Sequence, residues 1–392
     1  DKQDKVLNVP NKREQSQTCL DSAERAGLRP KGNVPNLRFP EFSEEWNVKR
    51  LGDDCEIQMC KRVFANQTSE AGDVPFYKIG TIGGIADSFI SRELYKEYKE
   101  KYNYPQKGEV LITCAGTIGK TVLYDGEDAY YQDSNIVWIS NPKQIYSNAF
   151  LQCVLSRIDW SKLNTTTIVR IYNDNLRDLA VTYPVSKEQE KITALLSLVN
   201  KRIETQIRII DNIQSQIIGL EQILLKPKSS WTTYSIGDVL TIGSGRDYKH
   251  LSDGDIPVYG TGGYMLSVND YLHDGESVCI GRKGTIDKPI YLRGKFWTVD
   301  TLFYTHDFRN ILPRYCYYLF NTINWQKYNE ASGVPSLSKE TIERIKISIP
   351  TAENQKRICY IIDSVEEKLT LERTFLEKLI LQKQFLLSSL FV

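Results

Sequence analysis

Two long stretches of the chain carry apolar residues at steps of three and four. This spacing predicts one apolar stripe along each of two helices, at 186–227 and 351–392. The stripes contain Ile192, Leu195, Leu196, Val199, Ile203, Ile207, Ile210, Ile213, Ile217, Leu220 and Leu224 in the first helix, and Ile358, Ile361, Ile362, Val365, Leu369, Leu376, Leu379, Ile380, Leu386, Leu387 and Leu390 in the second. Helices of roughly forty residues are about 60 Å long. We expect them to pack on each other as an antiparallel coiled coil. The alternative is two separate helices, each buried in its own domain.

The start of each helix has a distinct sequence signal. Ser186 is followed three residues later by Gln189, which predicts a capping box just after Pro184. The second helix has Thr351 and Asn354 at these places, a weaker version of the same signal.

The segments before each helix have short apolar runs and glycine turns, which are typical of β-structure. Examples are "EVLITCAG" and "NIVWIS" before the first helix, and "ESVCIG" and "TLFYT" before the second. We therefore expect β-rich domains at 36–185 and 228–350. Residues 1–35 are polar and of mixed charge, and they predict a flexible N-terminal arm.

Four motifs occur twice, in the same order. Trp46-x4-Leu51-Gly-Asp returns as Trp231-x4-Ile236-Gly-Asp, "VPFYKIG" as "IPVYGTG", "GTIGK" as "GTIDK", and "YPVSKEQEKI" as "IPTAENQKRI". Such a series indicates an internal duplication. The predicted fold class is α+β: two β-rich domains of one duplicated unit, separated by two long helices packed as an antiparallel coiled coil.

Composition narrows the class of protein without identifying it. The chain has 392 residues, 41% hydrophobic and 25% charged, with a formal net charge of +1. It has no apolar run of eighteen residues and no signal-peptide pattern. Its eight cysteines form no Cys-x-x-Cys pair, and His250, His273 and His306 are far apart in sequence. We expect no metal site and a reduced, cytoplasmic protein.

"CAGTIGKT" at 114–121 ends like a phosphate-binding loop, but its spacing is wrong. Cys114 stands where that loop needs its first glycine. The second copy has Asp287 before its lysine. "SNPK" at 140–143 lacks the second proline and the aromatic residue of a methyltransferase loop. Without an acid–base set or a nucleotide loop, the sequence predicts a recognition protein.

The order domain, helix, domain, helix resembles the specificity subunit of type I restriction–modification enzymes. The openings "NLRFPEFSEEWNVKRLGD" and "WTTYSIGD", the GTIGK and GTIDK turns, and "SGVPSLSKETIERIKISIPTAENQKRI" carry this resemblance over about 36–392. Copy one departs from it at "NTTTIVRIYN", where copy two has the small-residue run Ser332–Ser336.

The resemblance implies a DNA-binding, non-catalytic subunit of a multisubunit type I site-specific endonuclease and adenine methyltransferase. Its two target recognition domains each read half of a bipartite, asymmetric site in double-stranded DNA. Its helices set the gap and dock two methylation subunits, and restriction subunits join them. No cofactor or membrane contact is expected for this chain, while S-adenosylmethionine, ATP and Mg belong to the partner subunits.

Candidate DNA contacts are the basic and polar residues in turns between predicted strands, because Lys and Arg bind phosphates and Arg and Asn pair with bases. They are Lys61, Arg62, Lys78, Thr81, Lys120, Arg170 and Asn173 in copy one, and Arg246, Tyr248, Lys249, Thr261, Arg282, Lys283, Lys288 and Ser332 in copy two. Arg170, Asn173, Arg246 and Arg282 are the leading base readers. For each residue singly, the alternative is an ordinary solvated side chain.

Two other classes of protein remain open from the residues alone. One is a duplicated carbohydrate- or protein-binding adaptor with a coiled-coil spacer. The other is a nuclease or methyltransferase with diverged motifs.

Overall fold

A computed structural model describes the fold at residues 32–163 and 170–392. Residues 1–31 of the expected arm therefore lie outside the described residues. Residues 164–169 of the "NTTTIVRIYN" loop lie outside them as well. The chain divides into two compact units. One comprises the chain up to Glu204 together with Glu377–Val392, and the other comprises Thr205–Leu376.

The first unit contains a β-rich domain and the beginning of a long helix. Its strands are β1 (Asn47–Arg50), β2 (Glu56–Gln58), β3 (Val74–Tyr77), β4 (Phe89–Ile90), β5 (Val110–Thr113), β6 (Thr121–Leu123), β7 (Tyr130–Tyr131), β8 (Ile136–Ser140) and β9 (Ala180–Tyr183). Its helices are α1 (Leu51–Asp54), α2 (Arg92–Lys101), α3 (Asn148–Arg157) and α4 (Asn173–Arg177), followed by the long α5 (Ser186–Leu224). The strands form the sheets β1-β9, β2-β8-β5-β6 and β4-β3-β7.

The second unit contains a domain with the same plan. Its strands are β10 (Thr232–Ser235), β11 (Thr241–Ser244), β12 (Asp253–Gly260), β13 (Gly263–Val268), β14 (His273–Asp274), β15 (Ser277–Gly281), β16 (Ile290–Leu292), β17 (Lys295–Thr298), β18 (Leu302–His306) and β19 (Lys346–Ile349). Its helices are α6 (Ile236–Val239), α7 (Pro313–Thr322) and α8 (Lys339–Arg344), before the long α9 (Ala352–Ser389). The sheets are β10-β19, β11-β18-β15-β16 and β13-β12-β17-β14.

Equivalent contacts confirm the internal duplication. In each domain the strand after the repeated motif tryptophan pairs antiparallel with the strand that leads into the long helix, as β1-β9 and as β10-β19. The indole N–H of Trp160 donates to the carbonyl of Leu155 (3.1 Å), and that of Trp325 donates to the carbonyl of Phe320 (2.9 Å). The two copies therefore share core hydrogen bonds as well as sequence motifs.

An additional helix explains why the spacing between the copies shrinks along the chain. Helix α2 lies between β4 and β5, where the second domain has only a short connection from β13 through β14 to β15. Ser91 caps α2 by accepting a hydrogen bond from the N–H of Leu94 (3.2 Å). Tyr95 is buried and anchors α2 to the domain.

The two long helices pack antiparallel, as the stripes predicted. In the first unit, Ile192 and Leu196 of α5 share a buried cluster with Leu386 and Leu390 of α9. In the second unit, Ile210 and Ile213 of α5 cluster with Leu369, so lower numbers in one helix meet higher numbers in the other.

The predicted stripe is wrong at two positions, and beside one of them the helices present polar residues to each other. Ile207 and Ile380 are exposed. Gln206 is buried in place of Ile207, and its side-chain amide donates to the backbone carbonyl (3.1 Å) and the carboxylate (2.5 Å) of Glu372. Gln206 and Glu372 occupy equivalent positions in the two copies, so an antiparallel pair brings them together. A pattern of apolar residues alone could not predict this polar contact between the helices.

A buried glutamine joins each long helix to its own domain. The amide of Gln189 donates to the carbonyls of Pro184 and Ile145 (both 3.0 Å) and accepts from the N–H of Ser147 (2.7 Å). The predicted capping box at Ser186 is therefore wrong, because the Gln189 amide is used for tertiary bonds. Both Gln189 and its equivalent, Gln355, are almost completely inaccessible to solvent.

Gln355 repeats the three bonds in the second domain. Its amide donates to the carbonyls of Pro350 (2.9 Å) and Asn310 (2.8 Å), and its oxygen accepts from the N–H of Leu312 (2.8 Å). In both domains the bonded N–H belongs to the residue that precedes the helix α3 or α7. One side chain thus fixes the direction in which each long helix leaves its domain.

The fold also shows where the histidines lie and whether the described residues could form a metal site or a membrane span. His273 and His306, which are far apart in sequence, have ring centroids 6.0 Å apart. Among the described residues, no group of three His, Cys, Asp or Glu side chains is placed to ligate a metal ion. No helix in this part of the chain has the length and apolar character needed to cross a membrane.

We predict that Gln189→Ala or Gln355→Ala lowers the free energy of unfolding by about 2–4 kcal/mol, because each removes three hydrogen bonds of a buried side chain and leaves the bonded backbone groups without that partner. Urea unfolding of the full chain measures this. Gln216→Ala, on the exposed face of α5, is the matched control. Equal stability of the Gln216 and Gln189 variants would contradict the anchoring role.

Candidate nucleic-acid interface

In the second domain, two loops that carry candidate arginines are bonded to one backbone segment, residues 298–302. The N–H of Arg246 donates to the carbonyl of Thr298 (2.8 Å), and the N–H of Arg282 donates to the carbonyl of Thr301 (2.7 Å). Both arginines are exposed, and each is fixed at its backbone. The fold therefore brings together two leading candidates that are distant in sequence.

A third loop of this domain joins the same cluster. The N–H of Leu337 donates to the carbonyl of Arg282 (2.9 Å), and the N–H of Gly284 donates to the carbonyl of Pro335 (2.9 Å). Lys283 lies between these two bonds. The small-residue run at 332–336 thus packs against the GTIDK turn.

The repeated glycine turns have a structural requirement in both domains. Gly116 and Gly284 have φ angles of +63° and +86°, which favour glycine. A Cβ atom added at Gly116 would lie 2.7 Å from the Cδ1 atom of Ile79, and one added at Gly284 would lie 3.7 Å from the hydroxyl of Thr261. The same turn therefore approaches the same neighbouring loop in both copies.

The remaining candidates of the second domain surround this cluster less closely. Tyr248 is half-buried and packs on the core cluster that includes Val258 and Trp297. The other three are exposed side chains, namely Lys249, Lys288 and Ser332. Only the backbone N–H of Lys249 has a described contact, with the Asp247 carboxylate (3.2 Å).

In the first domain, several candidate cations interact with groups of their own domain. Arg62 forms an ion pair with Asp133 (2.8 Å), and Lys78 forms one with Asp87 (2.8 Å). Such exposed pairs contribute little to stability. Both cations therefore remain available to exchange a carboxylate for a DNA phosphate.

The other first-domain candidates have local contacts as well. The ammonium of Lys61 lies 5.1 Å from the centre of the Tyr102 ring. The guanidinium of Arg170 donates to the carbonyl of Ser134 (3.0 Å). The remaining two are Thr81, whose hydroxyl accepts from the N–H of Lys78 (3.1 Å), and Asn173, the first residue of α4.

Lys120 has contacts within its own domain in the turn whose sequence resembles a phosphate-binding loop. Its ammonium donates to the backbone carbonyl of Ile82, and its N–H donates to the hydroxyl of Thr113 (3.0 Å). In this fold the lysine ties the GTIGK turn to the loop after β3. It is still a candidate phosphate ligand, although its ammonium already has a protein partner.

The structure adds three residues that sequence reasoning missed. Ser244, Glu330 and Lys339 line one open cavity together with Arg282 and Lys283. The signal was present in "SLSKE", because Ser338 caps α8 by accepting from the N–H of Thr341 (3.2 Å), and Lys339 is the first residue of that helix. Glu330 had no comparable sequence signal.

Fold and site together define a duplicated recognition protein, with two equivalent β-rich domains carried on an antiparallel helix pair. The type I restriction modification DNA specificity domain model matches residues 43–215 and 228–380, one match in each copy. The chain belongs to this family, and its predicted membership is confirmed. Specificity subunits are in general non-catalytic.

Similar proteins are specificity subunits too. A putative type I restriction enzyme specificity subunit of Haemophilus influenzae is 49% identical over 149 residues, which cover 38% of this chain and 39% of the relative. The EcoprrI specificity subunit of Escherichia coli is 20% identical over 341 residues, covering 75% of this chain and 80% of that protein.

Solved structures support the fold. The S subunit of a type I restriction–modification system of M. genitalium superposes with a TM-score of 0.60 at 18% identity, covering 92% of this chain and 99% of that one. A structure described as the basis of complex assembly and conformational transition of the type I R-M system gives a TM-score of 0.57 at 14% identity. That match covers 88% of this chain and 97% of the other.

We predict that Arg246→Ala lowers affinity for the specific DNA site by about 1–3 kcal/mol, because an exposed guanidinium on a fixed backbone suits a guanine edge. Fluorescence anisotropy with a specific duplex measures the loss. Arg293→Ala is the control, since Arg293 lies in the same domain but pairs with Glu276 (3.1 Å). Equal losses for both variants would show that Arg246 contributes only non-specific electrostatic attraction to DNA.

Proposed function

We propose that this chain is the DNA-recognition subunit of a type I restriction–modification complex and that it reads a bipartite, asymmetric site. Each β-rich domain reads one half-site. The observation that carries the proposal is the duplication itself, because two equivalent domains present equivalent loops while their exposed side chains differ. Gly284 and Thr261 repeat the contact of Gly116 and Ile79, whereas Arg282 replaces buried Cys114.

The two long helices set the distance between the half-sites in this proposal. Helix α5 has 39 residues and α9 has 38, so each is about 57–59 Å long. Each helix is joined to its domain by a buried glutamine, and the two share one antiparallel seam. A helix pair of this kind is suited to act as a spacer.

Exposed apolar residues on these helices support docking of the methylation subunits. Leu198 and Ile218 of α5 are 64% and 56% exposed, and Tyr360 and Leu371 of α9 are 75% and 65% exposed. Exposed apolar surface of this extent on helices suits a protein partner. Two methylation subunits and the restriction subunits would supply methyl transfer and cleavage. S-adenosylmethionine, ATP and Mg would be bound by these partners.

An adaptor for carbohydrate or protein is the competing function. It predicts no sequence-selective retention of DNA, whereas the proposed subunit selects one bipartite sequence. A diverged nuclease or methyltransferase predicts turnover by the isolated chain. Binding of a random duplex library by the chain with its methylation subunits, followed by sequencing, distinguishes the three.

We predict that matched four-residue insertions after Ile207 and Arg373, equivalent positions of α5 and α9, lengthen the spacer of the recognised site by one or two base pairs. Four residues add about 6 Å, against about 3.4 Å per base pair. Sequencing of methylated bases in exposed genomic DNA measures the spacer. The bases of both half-sites are expected to stay the same.

The control for this experiment is a four-residue insertion after Gly126, an exposed turn outside the helices. It is expected to leave the spacer unchanged. An active complex with matched helix insertions and an unaltered spacer would show that the helices do not measure the site.

A further inference from the structure

An open cavity of about 370 Å³ in the second domain carries both signs of charge. Arg282, Lys283 and Lys339 supply cations, Glu330 supplies a carboxylate, and Ser244 lies on the wall. The first domain has no equivalent of its leading arginine, because the matching position is the buried thiol of Cys114. The arginine of this cavity is therefore particular to the second domain.

Arg282 is fixed in the wall of this cavity. Its N–H donates to Thr301 and its carbonyl accepts from Leu337, so the backbone is held on both sides. The nearest described side-chain contact of its guanidinium is the carbonyl of Asp300, at 3.5 Å from Nη1. A contact this long is weak, which leaves the five N–H groups of the guanidinium for a ligand.

Glu330 is held from the opposite loop. The hydroxyls of Ser338 (2.6 Å) and Thr341 both donate to its Oε1 atom. These bonds, led by that of Ser338, keep the pKa of Glu330 below its ordinary value. The carboxylate is thus charged at neutral pH and oriented, with Oε2 left as an acceptor.

Within the described residues, no ion pair joins Glu330 to Arg282, Lys283 or Lys339, although the four line one cavity. A donor and an acceptor held apart in this way match a ligand that offers acceptors and a donor side by side. A phosphate offers acceptors only, and the Glu330 carboxylate would repel it. In the major groove, guanine presents two acceptors and its cytosine partner presents an amino donor.

We propose that this cavity reads a single G·C base pair in the half-site of the second domain. Arg282 donates to guanine O6 and N7, and Glu330 accepts from the cytosine N4 amino group. Lys283 and Lys339 bind the flanking phosphates. This assignment rests on the proposed DNA-recognition function and adds the base pair that is read.

The test compares Arg282→Gln and Glu330→Gln in the full chain, each bound to a duplex library with its methylation subunits and sequenced. Each variant is expected to lose preference for G·C at the same one position by roughly five- to hundred-fold. The double variant is expected to lose no more at that position. Lys339→Gln is expected to weaken binding equally for all sequences.

Glu340→Gln is the control, because Glu340 is an exposed carboxylate of α8 that pairs with Arg344 outside the cavity lining. It is expected to keep the parent's base preference. Glu330→Gln retains an acceptor oxygen for the hydroxyls of Ser338 and Thr341. Glu330→Asp tests whether a shorter carboxylate side chain still contacts the base pair. Thermal midpoints equal to that of the Glu340 variant show that the domain is folded.

Two results would overturn the base-pair assignment while leaving the proposed function intact. In one, Arg282→Gln or Glu330→Gln weakens binding equally for every sequence, as a phosphate contact would. In the other, the two variants relax different base pairs. Absence of any sequence preference in the parent complex would instead reject the proposed function, and this assignment with it.

Discussion

The geometry of this protein depends on one buried amide in each copy. Gln189 and Gln355 each bond three backbone groups, which come from two separate segments of a domain. Because each amide side chain is buried, losing its bonds costs more than losing the same bonds at an exposed surface. The amide therefore fixes where a long helix begins and in which direction it leaves. A recognition domain joined to its helix by a flexible linker could not transmit a fixed distance.

The helix pair then combines an apolar seam with a polar centre. Each unit has one apolar cluster shared by both helices, and Gln206 meets its equivalent, Glu372, in the second unit. Polar residues inside a helix pair set register and orientation at some cost in stability. Here the bond is satisfied only when the helices are antiparallel and in register.

Sequence reasoning succeeded where the signal was periodic or repeated. The helices, the duplication and the family followed from stripes and ordered motifs, and the glycine turns from their recurrence. It failed where a local pattern had two physical uses. Ser186 and Gln189 have capping-box spacing, yet the amide is used for tertiary bonds, and Ile207 fits the stripe but lies outside the seam.

The candidate site was harder to predict because its parts meet only after folding. Arg246 and Arg282 share the segment 298–302, and the Glu330 carboxylate reaches the cavity from a third loop. No periodicity links these positions. The ion pairs of Arg62 and Lys78 with distant or loop carboxylates were equally invisible in sequence. Thus sequence reasoning could name candidate residue types, but it could not predict the surface that they form.

The central claim is that one chain reads two separate half-sites at a fixed distance. The most direct measurement is sequencing of duplexes selected from a fully random library by the unaltered chain with its methylation subunits. The account predicts two short, different sequence blocks separated by a gap of constant length. A single continuous block, or two blocks with a variable gap, would contradict it.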